Sequence, residues 1–274
     1  MLQRIAMGVE YDGHAFAGWQ TQCKQRTVQS CLEAAISRVA AQSAPVALIC
    51  AGRTDTGVHA LEQVVHFDAP LFREKSAWLR GTNANLPEDV RVLWVRPVDA
   101  SFHARTSAIA RFYRYVILDR KMKSALLRHQ LTWSYRALDA DAMQAGADHL
   151  IGNHDFTSFR AQRCQSKSPQ RMLHFIKVKR VGSQIEIDIA ANAFLHHMVR
   201  NIVGVLMTIG SGQQQPDWAK EILMARDRKL GGVTAPPDGL YLAGVYYPAE
   251  FGIPRHPVFD LLPPDVDRYR PLAK

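Results

Sequence analysis

Arg53 and Asp55 stand two residues apart in Ala51-Gly52-Arg53-Thr54-Asp55-Thr56-Gly57-Val58-His59-Ala60. A carboxylate acts as nucleophile or base only when ionised, and a nearby guanidinium favours that form. If the segment is extended, residues two apart point the same way and the two side chains can meet. Glycines on either side permit positive φ and the close approach of a ligand. The same residues also suit a purely structural Asx turn, with Asp55 bonding backbone a residue or two ahead. Local sequence leaves both readings open.

Other residues can bind rather than react. Arg111-Phe112-Tyr113-Arg114-Tyr115 alternates, so Tyr113 and Tyr115 share one strand face while Phe112 and Arg114 share the other. Aromatic rings beside guanidinium groups suit base stacking and phosphate pairing. His196 and Arg200 are four apart on an expected helix and share its face. A cation at a helix start is disfavoured by the macrodipole, so an external anion would account for it. Arg160, Arg163, Lys167 and Arg171 form a basic loop, able to grip phosphate or simply to be solvated. Leu240 and Leu242 read as strand core.

The elements that must position these groups follow from periodicity. Ile5, Met7, Val9 and Tyr11 alternate up to Asp12-Gly13, a strand ending in a turn. Thr27 caps an expected helix with Val28, Cys31, Leu32, Ala35, Ile36 and Val39 on one face. Val46 to Cys50 reads as a buried strand delivering the Arg53–Asp55 loop to the rim of a sheet, with a second strand over 63–67. A helix at 75–80 and a strand through Val90, Val92 and Trp94 follow. The order then repeats: a strand at 112–118, a helix after Asp139, a hairpin across Gly182-Ser183, helices at 195–209 and 217–224, and a strand at 240–245. This predicts an α+β protein of two ferredoxin-like β-α-β-β-α-β lobes sharing a mainly antiparallel sheet, with a central cleft. The lobes are expected at 1–105 and 106–250, with a surface tail over 251–274.

Composition bounds the function. Hydrophobic residues make up 47% of the 274 and charged residues 22%, which is ordinary for a globular chain. The net charge of +9 favours an anionic partner such as nucleic acid. No apolar run reaches the roughly 20 residues of a membrane span, and no leader pattern precedes the first strand, so a cytoplasmic protein is expected. The four cysteines form no C-x-x-C pair, which argues against a metal site or a disulfide framework.

Taken together, the motifs resemble the TruA family of tRNA pseudouridine synthases. Gly52-Arg53-Thr54-Asp55-Thr56-Gly57-Val58-His59 resembles the family signature, with Thr56 where Ala or Ser is more usual. Tyr11-Asp12-Gly13, Phe16-Ala17-Gly18-Trp19-Gln20, Asn83-Ala84-Asn85-Leu86-Pro87, Phe102-His103-Ala104-Arg105, Arg111–Tyr115, Phe194–Asn201 and Gly239-Leu240 resemble further blocks in the family's order, from Arg4 to Tyr247. Phe112 stands where Arg is common.

The resemblance implies the pseudouridine synthase fold, a homodimer, no cofactor, no metal and tRNA as substrate. The implied reaction isomerises uridine to pseudouridine at positions 38, 39 and 40 of the anticodon stem-loop. It implies Asp55 as nucleophile or initiating base, with Arg53 supplying electrostatics and filling the gap left by a flipped nucleotide. It implies Tyr113 stacking on uracil, its hydroxyl assisting loss of the C5 proton. Arg200, Arg105, Arg111 and His196 are implied substrate contacts, and Leu240 and Leu242 an apolar pocket wall. A non-catalytic tRNA-binding protein on the same scaffold is the alternative. A hydrolase releasing free uracil lacks the second carboxylate of the usual pair.

Overall fold

A computed structural model describes residues 3–162, 164–262 and 266. The chain divides into two compact units, one comprising residues 3–109 with Leu242–Phe259, the other Ala110–Tyr241 with residues 260–262 and 266.

In the first unit, β1 (Gln3–Tyr11) has Ile5, Met7 and Val9 buried, as alternation predicts, but Ala6 is buried too. A strand buried on both faces is central, and β1 lies between two neighbours. The elements that follow are α1 (Val28–Val39), β2 (Ile49–Cys50), β3 (His59–Ala69), α2 (Lys75–Asn85) and β4 (Val90–Val98). The strands run β4-β1-β3 with β2 beside β3, all antiparallel. This is the β-α-β-β-α-β order expected from the sequence. Thr27 caps α1 by accepting from the Ser30 N–H, and Val28, Leu32, Ala35 and Ile36 form its buried face. Burial of Val28, Leu32 and Ile36 contributes about 1.5–3 kcal/mol each.

The expected strand over 46–50 shrinks to Ile49–Cys50. Side chains of α1 take the backbone donors that a ladder would use. The Val46 N–H donates to Ser37 Oγ at 2.8 Å, and the Leu48 N–H to Glu33 Oε1 at 3.2 Å.

The second unit holds β5 (Ala110–Asp119), β6 (Thr132–Ser134), α3 (Ala140–Asp148), β7 (Gly152–Asp155), β8 (Gln170–Val181), β9 (Gln184–Ala191), α4 (Met198–Gly210) and α5 (Trp218–Ala225). Its strands run β5-β9-β8-β7, antiparallel, with the short β6 parallel to β5. Sequence periodicity missed β6 and β7, which at three and four residues are too short to show a period. Asp139 caps α3 through the N–H groups of Asp141 and Ala142, as expected. The strand β10 (Leu240–Tyr246) passes from one unit to the other after Tyr241.

Helix α4 begins at Met198, not Leu195, because His197 has φ of +60° and breaks the helical path. His196 therefore precedes the helix. The shared helix face expected for His196 and Arg200 does not exist. Of the tail, Phe259 is fully buried, its ring 5.4 Å from that of Tyr246. Residues 263–265 and 267–274 of that expected segment, and Arg163 of the basic loop, lie outside the described residues. No helix among the described residues is long and apolar enough to cross a membrane.

Candidate active site

The Arg53–Asp55 loop leaves β2 and returns as β3, and almost every residue around Asp55 is tied down. The Ala51 N–H donates to the Val64 carbonyl at 2.8 Å. The buried Gln63 amide grips Gly52 twice, accepting from its N–H at 3.4 Å and donating to its carbonyl at 2.6 Å. The Thr54 carbonyl accepts from the Trp19 N–H at 3.0 Å, and its hydroxyl meets the Tyr11 hydroxyl at 2.8 Å. The Asp55 carbonyl accepts from the Val58 N–H at 3.1 Å, closing a turn in which Gly57 has φ of +79°. That turn requires glycine at its third position. No such need applies to Gly52, where an added Cβ would meet nothing within 4 Å.

Thr54 points inward, Arg53 is exposed, and Asp55 is half-buried. Rigidity here comes from the backbone and from Tyr11, Trp19 and Gln63. The sequence did not single out Gln63 for the site. Its signal was a polar residue heading the apolar run Val64-Val65.

Arg105 and Arg53 come together at the buried Cys50. Burial pushes the Cys50 thiol above its ordinary range, while the Arg105 and Arg53 cations pull the other way. Cys50 is therefore a protonated, inert thiol rather than a rival nucleophile. All four cysteines are free. Leu242, in the same unit, is fully buried.

The remaining predicted residues belong to the second unit. Tyr113 is 8% exposed and meets Phe194 edge-to-face, with ring centroids 5.1 Å apart. Its strand neighbours are occupied structurally. Arg114 forms a bidentate pair with Asp188, its register partner on β9, at 2.7 and 2.8 Å. The fully buried Tyr115 donates to the Pro236 carbonyl at 2.8 Å, and burial raises its phenol well above the usual range. Arg111, only 7% exposed, donates to the Asn192 carbonyl at 2.8 Å. Arg200, half-buried in the first turn of α4, donates through Nε to the Ala235 carbonyl at 2.7 Å. His196 is exposed and its ring lies against that of His197, tilted by 43° with centroids 4.0 Å apart. Leu240 is buried. In the basic loop, burial lowers the Arg171 guanidinium, and nearby Arg111 and Arg160 reinforce the effect.

The sequence model of the family described as tRNA pseudouridine synthase matches residues 7–107 and 147–248. The chain is 59% identical over 268 residues to tRNA pseudouridine synthase A of Methylococcus capsulatus, covering 98% of each. It is 56% identical over 252 residues to the protein of that name from Nitrosococcus oceani, covering 92% of this chain and 96% of that one. It is 51% identical over 257 residues to the Coxiella burnetii protein of the same name, covering 94% and 98%. With matches that run through both units and include the pinned Asp55 loop, the chain belongs to the tRNA pseudouridine synthase family.

Proposed function

We propose that this protein isomerises uridine to pseudouridine at positions 38, 39 and 40 of the tRNA anticodon stem-loop, with Asp55 as the nucleophile. The observation that carries the reading is a half-buried carboxylate on a turn whose flanking residues are held on every side. A carboxylate so fixed is ready for attack at a sugar or base carbon without reorganising. The reaction balances without a co-reactant: the N1–C1′ bond breaks, uracil turns, C5 bonds C1′, C5 loses a proton and N1 gains one. Attack at C1′, attack at C6 and a glycal route all begin with the same carboxylate.

In this reading Arg53, exposed two residues from Asp55, supplies positive charge there and occupies the space of the flipped nucleotide. Tyr113 stacks on uracil, and its hydroxyl assists removal of the C5 proton. Arg105, Arg200 and His196 meet phosphates. Arg111, buried against the Asn192 carbonyl, holds the loop that carries Phe194. Leu240 and Leu242 contribute apolar wall. The protein works as a cytoplasmic homodimer. The net charge of +9 supports a polyanionic substrate.

The test is an unmodified tRNA transcript with uridines at 38–40, incubated with the protein, then labelled with a carbodiimide and mapped by primer extension. Stops at those positions with the wild type, and none with Asp55→Asn, are expected. Stops elsewhere would overturn the positional assignment. Turnover by Asp55→Asn would overturn the nucleophile.

A further inference from the structure

The segment between β5 and α3 has no part in the site above, yet its formal charges are all of one sign. From Arg120 to Leu138 it carries Arg120, Lys121, Lys123, Arg128 and Arg136, and no Asp or Glu. It also holds exposed large apolar side chains, with Met122 75% and Leu126 91% exposed.

Two aromatic rings stand among these cations. Trp133 lies in β6 and Tyr135 just after its end, and their ring centroids lie 6.0 Å apart. The Lys123 ammonium sits 4.9 Å from the Trp133 ring centroid, and Arg136 lies over Tyr135 while donating to its hydroxyl at 2.9 Å. The indole is fixed by its own N–H, which donates to the Arg120 carbonyl at 2.9 Å. Arg120 in turn closes the loop by donating to the Met122 and Lys123 carbonyls at 2.7 and 3.1 Å. The result is a pre-oriented aromatic pair, 63% exposed at Tyr135, ringed by cations that no acidic residue of the segment neutralises.

We propose that this patch is a second RNA-contact surface, on which an unpaired nucleotide of the tRNA stacks against Trp133 and Tyr135 while Lys121, Lys123 and Arg128 hold the flanking phosphates. The proposal rests on the tRNA reading given above. Stacked aromatics with interleaved cations are the arrangement by which proteins hold single-stranded nucleic acid. Like-charge repulsion argues against a second copy of this chain as occupant, since a self-paired patch would bring two sets of these cations together.

The test compares the wild type with Trp133→Ala/Tyr135→Ala, with Lys121→Gln/Lys123→Gln/Arg128→Gln, and with Trp133→Phe. The probe is a full-length tRNA transcript, with filter binding across a salt series and steady-state turnover. Loss of stacking should raise Kd and KM about tenfold or more with kcat nearly unchanged. The charge variant should reduce the steepness of log Kd against log salt by about 2. Trp133→Phe should bind within about threefold of the wild type, which separates lost stacking from a damaged fold. Wild-type Kd, KM and salt slope in the first two variants would overturn the patch. So would a Leu126→Asn variant that changes the sedimentation coefficient while leaving RNA affinity intact, since the surface would then join two copies of the chain. If the wild type itself forms no pseudouridine, the functional reading fails instead, and the two failures are told apart.

Discussion

The Tyr11 and Thr54 hydroxyls meet at 2.8 Å in a buried contact that spans 43 residues of sequence. This bond fixes the residue next to Asp55 to the end of β1, so the central strand of the first unit sets the height of the carboxylate. Replacing Tyr11 by Phe keeps the ring and leaves the Thr54 hydroxyl buried without that partner. We expect a loss of about 1–2 kcal/mol in unfolding free energy and a fall in kcat larger than the change in KM. Urea unfolding with single-turnover kinetics checks both. An unchanged kcat would mean that the turn alone positions Asp55.

Gly13 is packed against the return of the same loop. A Cβ at that position would lie 1.9 Å from the Val58 carbonyl oxygen, on rigid backbone, and the Gly13 N–H donates to His59 Nδ1 at 3.0 Å. Gly13→Ala should therefore push 58–59 outward, costing about 1–3 kcal/mol of stability. Pseudouridine formation should fall with it, even at temperatures where the variant is fully folded. Circular dichroism melts run beside the labelling assay separate the two effects.

The role given to Arg53 makes a prediction that does not depend on an ion pair. Arg53→Lys keeps a cation but loses the planar guanidinium, and Arg53→Ala loses both. If the charge matters chiefly for Asp55, Lys should retain most of the turnover. If the guanidinium fills the gap of a flipped nucleotide, both variants should lose more than about tenfold in single-turnover rate. Fluorescence of a 2-aminopurine placed beside the target uridine reads the flipping directly.

His66 ties stability to pH. The ring is buried, its Nδ1 accepts from the Ala104 N–H at 3.1 Å, and burial, with help from His103 and Arg4, lowers its pKa to about 4. The folded pKa lies below the unfolded value of about 6.5, so the neutral ring is favoured by folding. This stabilisation is fully present above pH 6.5 and is lost as pH falls through 4, amounting to up to about 3 kcal/mol. Unfolding free energy should thus decline between pH 6.5 and 4. His66→Gln should flatten that decline; an equally steep slope in the variant would assign it to other groups.

Periodicity and end signals were enough to order the longer elements. Alternation marked β1, helical spacing and Thr27 marked α1, Asp139 marked the start of α3, and Gly182-Ser183 marked the β8–β9 hairpin. These signals are local: each records which face of one segment is buried or where a backbone donor is satisfied within a turn. The residue types of the loop, with the blocks around it, were also enough to pick out the family. What the sequence could not settle were choices of partner across long separations. Whether Val46 and Leu48 joined a ladder depended on Ser37 and Glu33 reaching them first. Whether α4 began at Leu195 or Met198 depended on the left-handed backbone at His197, which no helical period reveals. Which arginines stayed available depended on Asp188 and the Asn192 carbonyl, brought beside β5 only by strand pairing. A hydrogen bond between one element and another, here spanning from 9 to 81 residues, is decided by the packed fold, because local sequence carries no record of which donor arrives.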